Sequence, residues 1–110
     1  MANSRMEMFR QALDQDPNNE LARFSLAREL FDEEEYGQAL EHYQAALAAK
    51  PDWMRAHIQV CKCCLELGGM DQARSSLSRA RDLMIQSGDL ENQGEIDELA
   101  ERLEQQENEI

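Results

Sequence analysis

The sequence predicts an all-α fold, a stack of antiparallel helical hairpins built from about six helices. Three observations point there: the chain repeats itself at the interval that separates Pro17 from Pro51, the apolar residues within each unit follow helical spacing, and capping or turn residues separate the apolar segments. A period of this order marks a repeat architecture, in which each unit buries its apolar face only by stacking on the next.

The shift that places Pro17 on Pro51 also places Ala22 on Ala56, Leu26 on Val60, Ala27 on Cys61 and Leu30 on Cys64. The same shift places Gln38 on Gln72, Ala39 on Ala73, Tyr43 on Leu77 and Ala46 on Ala80. Running backwards, it sets Met6, Phe9, Ala12 and Leu13 under Leu40, Tyr43, Ala46 and Leu47. Residues 4–17 therefore read as the second half of an earlier unit, 18–51 as a strong repeat and 52–85 as a degenerate one.

Taken in order, the elements are helices near 4–16, 19–33, 36–50, 53–67, 70–86 and 92–107. Ser4 with Glu7 forms a capping box for the first, the hydroxyl accepting from first-turn amides and the carboxylate reaching back to the cap. Pro17 ends that helix and Asn18-Asn19 offer side-chain oxygens to the second, marked by Leu26, Leu30 and Phe31 with Ala22, Phe24 and Ala27 nearby. Glu33–Glu35 and Gly37 supply a polar turn before the third, marked by Ala39, Leu40, Tyr43, Ala46 and Leu47. Pro51 and Asp52 repeat the stop and cap ahead of the fourth, with Ile58, Val60, Cys61, Cys64 and Leu65. Gly68-Gly69 break the chain before the fifth, with Ala73, Leu77, Ala80, Leu83 and Met84. Small residues at Ala27, Ala39 and Ala46 sit where neighbouring helices must approach to roughly 8–10 Å, and a bulkier side chain would wedge them apart.

In the sixth segment Ile96, Leu99, Ala100 and Leu103 form one apolar stripe against a nearly continuous acidic face. Such a helix covers the end of a stack with a polar outer surface. The alternative is that it pairs with a second copy of the chain. Residues 89–110 hold nine acids against Arg102 and so carry −8 of the net charge of −12. This acidic end is read as a solubilising cap, with a docking site for a basic partner or a salt-rich cytoplasm as alternatives. A field of that sign repels phosphate backbones and speaks against nucleic-acid binding.

At 110 residues the chain amounts to one domain, and 42% apolar with 31% charged residues is a globular balance. No apolar run approaches the roughly 18 residues of a membrane span. Arg5, Glu7 and Arg10 leave no apolar export segment at the N-terminus, so a cytoplasmic protein with no membrane partner is expected. Cys61, Cys63 and Cys64 stand too close on one helix for ordinary disulfides, which fits a reducing compartment. With His57 one turn away they invite a zinc reading. Against it, the spacing supplies no paired ligands from separate turns, and Cys61 and Cys64 fall on small core positions; Cys63 is expected on the other face, partly exposed and oxidisable. No metal or cofactor is therefore expected. His42 and His57 have no nucleophile or acid placed beside them by a catalytic motif, no glycine-rich phosphate loop is present, and the chain is read as non-enzymatic.

The run Leu26-Ala27-x-x-Leu30, then Ala39-x-x-x-Tyr43-x-x-Ala46, then Pro51 resembles the signature of the tetratricopeptide-repeat family. The second unit keeps Ala73 and Ala80 but has Leu77 for the aromatic and Ile85 for the closing proline. The resemblance implies a right-handed α-solenoid whose first helices line a concave groove for a protein or peptide partner. Carried onto this chain, the groove candidates are Leu21, Phe24, Ser25, Arg28 and Phe31, then Arg55, Ile58, Gln59 and Lys62. Arg28 and Lys62 are equivalent under the repeat, and with Arg55 they would orient an acidic or carboxylate group. Alternatively these cations pair with Glu20, Glu29, Asp32 or Glu66 on a solvated face. Some relatives hold carboxylate-ended tails with a clamp of lysine, asparagine and arginine; Phe24, Arg28 and Gln59 occupy three of its places, and only Arg55 fits its charge pattern. A scaffold or adaptor is thus expected, with a homodimer through the terminal helices as the alternative.

Overall fold

A computed structural model describes residues 3–109, and its described residues form six helices and no strand. They are α1 (Ser4–Gln15), α2 (Glu20–Asp32), α3 (Tyr36–Ala49), α4 (Met54–Leu67), α5 (Met70–Ser87) and α6 (Gln93–Asn108). Each helix packs against its successor, and α6 also reaches back to α4. None of them is long and apolar enough to cross a membrane.

The repeat is visible in the packing. Ala27, Ala39, Ala46, Ala56, Ala73 and Ala80 are all fully buried, so each is a point of close approach with no room for a longer side chain. Tyr43, Leu26, Leu30 and Ile58 are the bulky groups filling the space between them. The pattern breaks after the second hairpin. The repeat offset carries Glu20, the first residue of α2, onto Met54, the first residue of α4. Applied once more it reaches Gly88, yet α6 begins only at Gln93, because α5 has 18 residues where α3 has 14. One extra turn of α5 and the 88–92 connection thus displace α6 from the register of the earlier units.

The turns are built locally. After α2, Glu35 N donates to Leu30 O at 2.8 Å and Glu34 N to Phe31 O at 2.9 Å. These paired bonds require a left-handed residue, and Glu34 supplies it at φ 63°. At the equivalent place after α4 the residue is Gly68, φ 82°, with Gly69 N donating to Cys64 O at 2.8 Å. Gly37, expected in the first of these turns, lies inside α3.

Two caps differ from expectation. Asn3, not Ser4, caps α1: its Oδ1 accepts from Arg5 N at 3.0 Å and Met6 N at 3.1 Å, and Ser4 is already helical. The amide is favoured there because its other end donates to Glu29 Oε2 at 3.2 Å, tying α1 to α2. Asp52 does not cap α4. It accepts from Arg79 Nη2 at 2.6 Å, and Trp53 holds the cap position with no side-chain bond. Asn19 caps α2 as expected, accepting from Ala22 N at 3.0 Å.

α4 is covered by α3, α5 and α6, and this explains a second correction. Cys63, expected to be partly exposed, is fully buried together with Cys61 and Cys64. Burial pushes the Cys61 thiol up to about 11 and the Cys63 thiol up to about 12, so neither carries appreciable thiolate near neutrality. No group of three or more potential ligands is gathered for a metal ion among the described residues.

Ile96, Leu99 and Leu103 of α6 are buried in the chain's own core. The stripe that a dimer through α6 would use is already occupied by α5 and α4.

Candidate functional site

α2 and α4 lie side by side across α3, and between them runs a groove of about 580 Å3. α2 contributes Leu21, Phe24, Ser25, Arg28, Phe31 and its last residue, Asp32. From the other side come Arg55, Gln59 and Lys62 of α4, preceded by Trp53, and Tyr43 of α3 closes the floor. Ile58, expected in the groove, is fully buried and belongs to the core. Its equivalent Phe24 stays partly exposed because α2 is packed by α1 and α3, whereas α4 is packed by α3, α5 and α6.

One wall is aromatic. Phe24 stacks on Trp53 with ring centroids 4.6 Å apart and 22° between planes, and meets the edge of Tyr43 at 5.2 Å and 69°. Lys50 Nζ lies 5.4 Å from the Trp53 ring centre on the outer side. Trp53 escaped the sequence reading because it sits at the position of the capping Asn19 in the preceding unit, where a connector is expected. Its being the sole tryptophan, directly after the Pro51 break, was the available signal.

The cations are not equivalent. Arg55 Nη1 donates to Glu95 Oε1 at 2.5 Å and to Asn92 Oδ1 at 3.2 Å, and Lys62 Nζ pairs with Glu95 Oε2. Their counter-ion is therefore in α6, outside the set Glu20, Glu29, Asp32 and Glu66. Glu29 pairs with Arg5 and Glu66 with Arg102. Arg28 is exposed, with Asp32 one turn on, and forms no ion pair among the described residues.

Burial alone would raise the Glu95 carboxyl, but the hydrogen bonds from Lys62 and Arg55 outweigh it and hold the pKa below the ordinary value. A depressed folded-state pKa stabilises above the unfolded value and loses that contribution as pH falls through the folded one. Because the three side chains are between about a quarter and two-fifths exposed, solvent limits the gain to about 1 kcal/mol or less. Wild type is therefore expected to be slightly more stable than Glu95→Gln at pH 7, with the gap in denaturant midpoint closing as pH drops below about 4. A gap that persists unchanged at pH 3 would remove the ion pair as its cause.

His42 and His57 do not line the groove. Burial first, then the charge of Arg23, whose Nη1 is 3.3 Å from Nδ1, lowers the His42 pKa. His57 Nε2 lies 2.7 Å from the Pro51 carbonyl oxygen.

The sequence model of the tetratricopeptide repeat matches residues 30–84, half of the chain. Anaphase-promoting complex subunit 3 of Dictyostelium discoideum is 31% identical over 78 residues, which is 71% of this chain and 8% of that protein. Among solved structures, the TPR2B domain of yeast Sti1 in its complex with pHsp70 superimposes with a TM-score of 0.85, covering 92% of this chain and 81% of that one at 19% identity. The likeness to the Sti1 domain is one of fold.

Proposed function

Since the chain belongs to the tetratricopeptide-repeat family, whose fold serves in general as a protein–protein interaction module, we propose that it is a non-catalytic scaffold receiving a peptide segment of another protein in the α2–α4 groove. The observation that carries this reading is the exposed Arg28, unpaired among the described residues, beside the stacked Phe24–Trp53 wall. A cation free of internal partners among the described residues, next to half-buried aromatic surface, is placed to bind an acidic or carboxylate group followed by an apolar side chain. Lys62 assists from the opposite side at lower net charge, because Glu95 already shares it with Arg55. The fold similarity to a domain solved with pHsp70 is in keeping with such a ligand. Three free, buried thiols fit a reducing compartment, and we place the protein in the cytoplasm.

The test is a titration of array-selected acidic hexapeptides with free C-termini, followed by the fluorescence of Trp53. Arg28→Ala with Lys62→Ala is expected to weaken binding about tenfold or more, since each charge-assisted hydrogen bond contributes about 1.5–3 kcal/mol. Unchanged affinity in the double variant would sink the reading.

A further inference from the structure

A carboxylate of α6 stands where that of a ligand would. Arg55 and Lys62 line the groove from α4, and Glu95 holds both: Arg55 Nη1 donates to its Oε1 at 2.5 Å and Lys62 Nζ pairs with its Oε2. Asn92 Oδ1 accepts from Arg55 Nη1 as well, at 3.2 Å. The other ion pairs of α6, Arg102 with Glu66 and Glu107 with Arg74, join residues that do not line the groove. The displaced register of the helix accounts for this placement. The repeat offset carries Ala27 onto Cys61 and Cys61 onto Glu95, and both Ala27 and Cys61 are fully buried. An α6 in register would turn Glu95 into the core. The longer α5 and the 88–92 connection bring it onto the α4 cations instead. Ile96, the next residue, is fully buried, so the backbone that carries the carboxylate is fixed.

We infer that Glu95 determines the charge selectivity of the groove: as a built-in carboxylate on Arg55 and Lys62, it restricts ligands to those with a single acidic group, seated at Arg28. The inference rests on the groove-binding reading above and adds to it the number and place of the charges on the ligand. A second ligand carboxylate reaching α4 has to expel Glu95, which the docking of α6 keeps at high effective concentration beside its partners. Left in place, Glu95 repels that carboxylate. In either case the second acidic group adds nothing to affinity. Arg28 differs, because it is exposed and without an ion pair among the described residues, and its donors are open to the first. Segments dense in acidic residues are thus disfavoured by a groove that Arg28, Arg55 and Lys62 all line.

The experiment takes the tightest hexapeptide of the array and replaces each of its uncharged residues in turn by Glu and by Gln, so that the ratio of the two affinities reads the added charge alone. Trp53 fluorescence follows binding to wild type, to Glu95→Gln, and to Glu95→Gln combined with Arg55→Gln and Lys62→Gln. In wild type, Glu is expected to bind no tighter than Gln at any position. In Glu95→Gln, Glu at one position or more is expected to bind about threefold to tenfold tighter than Gln, and the triple variant is expected to lose that preference. Ratios that Glu95→Gln leaves unchanged would overturn the inference. So would a preference for Glu already present in wild type and removed by Arg55→Gln or Lys62→Gln. In both cases weaker binding by Arg28→Ala leaves the groove reading standing. If the array yields no peptide for wild type or for Glu95→Gln, both are wrong.

Discussion

Tyr43→Ala is expected to lower the stability of the chain by about 3–5 kcal/mol, the usual cost of emptying an aromatic site in a core. Among the fully buried side chains Tyr43 is the largest. It stands on α3, meets Phe24 of α2 edge-on and closes the floor beside α4, so its removal opens a void shared by both hairpins. Neighbours cannot easily collapse into that void, because Ala27, Ala39 and Ala46 already hold the backbones at close approach. A domain of this size has about 5–15 kcal/mol in total. The substitution should therefore consume a large part of it, shifting the denaturant midpoint strongly while Tyr43→Phe leaves it in place. A drop below about 1 kcal/mol would mean that the hairpins are not joined through this ring.

The position of Tyr43 was legible in the sequence because the repeat fixes register. Once Ala39 and Ala46 are matched to Ala73 and Ala80, the residue between them faces inward, and the six helices follow with ends close to those expected. The failures have physical causes that a period does not encode. Capping is a local competition, so Asn3 displaces Ser4 once its amide finds Glu29 across the helix pair. Assigning faces assumes that a helix has a solvent side. α4 has little of one, which is why Ile58 and Cys63 are in the core rather than in the groove or at the surface. The groove residues on α2 were legible because α2 lies toward the start of the stack, where one face stays open. Glu95 was not, because the longer α5 moves α6 out of the register of the repeat, and no offset read from the earlier units leads to it.

The docking of α6 itself leads to the second large effect. Ile96→Ala is expected to cost about 2–5 kcal/mol, because Ile96 is fully buried between α6 and the preceding hairpin. Two kinds of interaction hold this helix: the stripe of Ile96, Leu99 and Leu103, and the ion pairs of Glu95 with Arg55 and Lys62, of Glu107 with Arg74 and of Arg102 with Glu66. Each of these part-exposed pairs contributes about 1 kcal/mol or less, so the apolar stripe should dominate. If so, Ile96→Ala loosens the whole helix, bares the apolar surface of α5, and makes the mass measured by light scattering rise with protein concentration. Glu95→Gln should leave the mass unchanged while releasing two groove cations, and so should tighten the binding of acidic peptides. The opposite ranking, with Glu95→Gln the more destabilising, would show that α6 is held chiefly by the Glu95 pairing. The acidic helix would then be a salt-sensitive gate on the groove rather than a fixed cap that touches it.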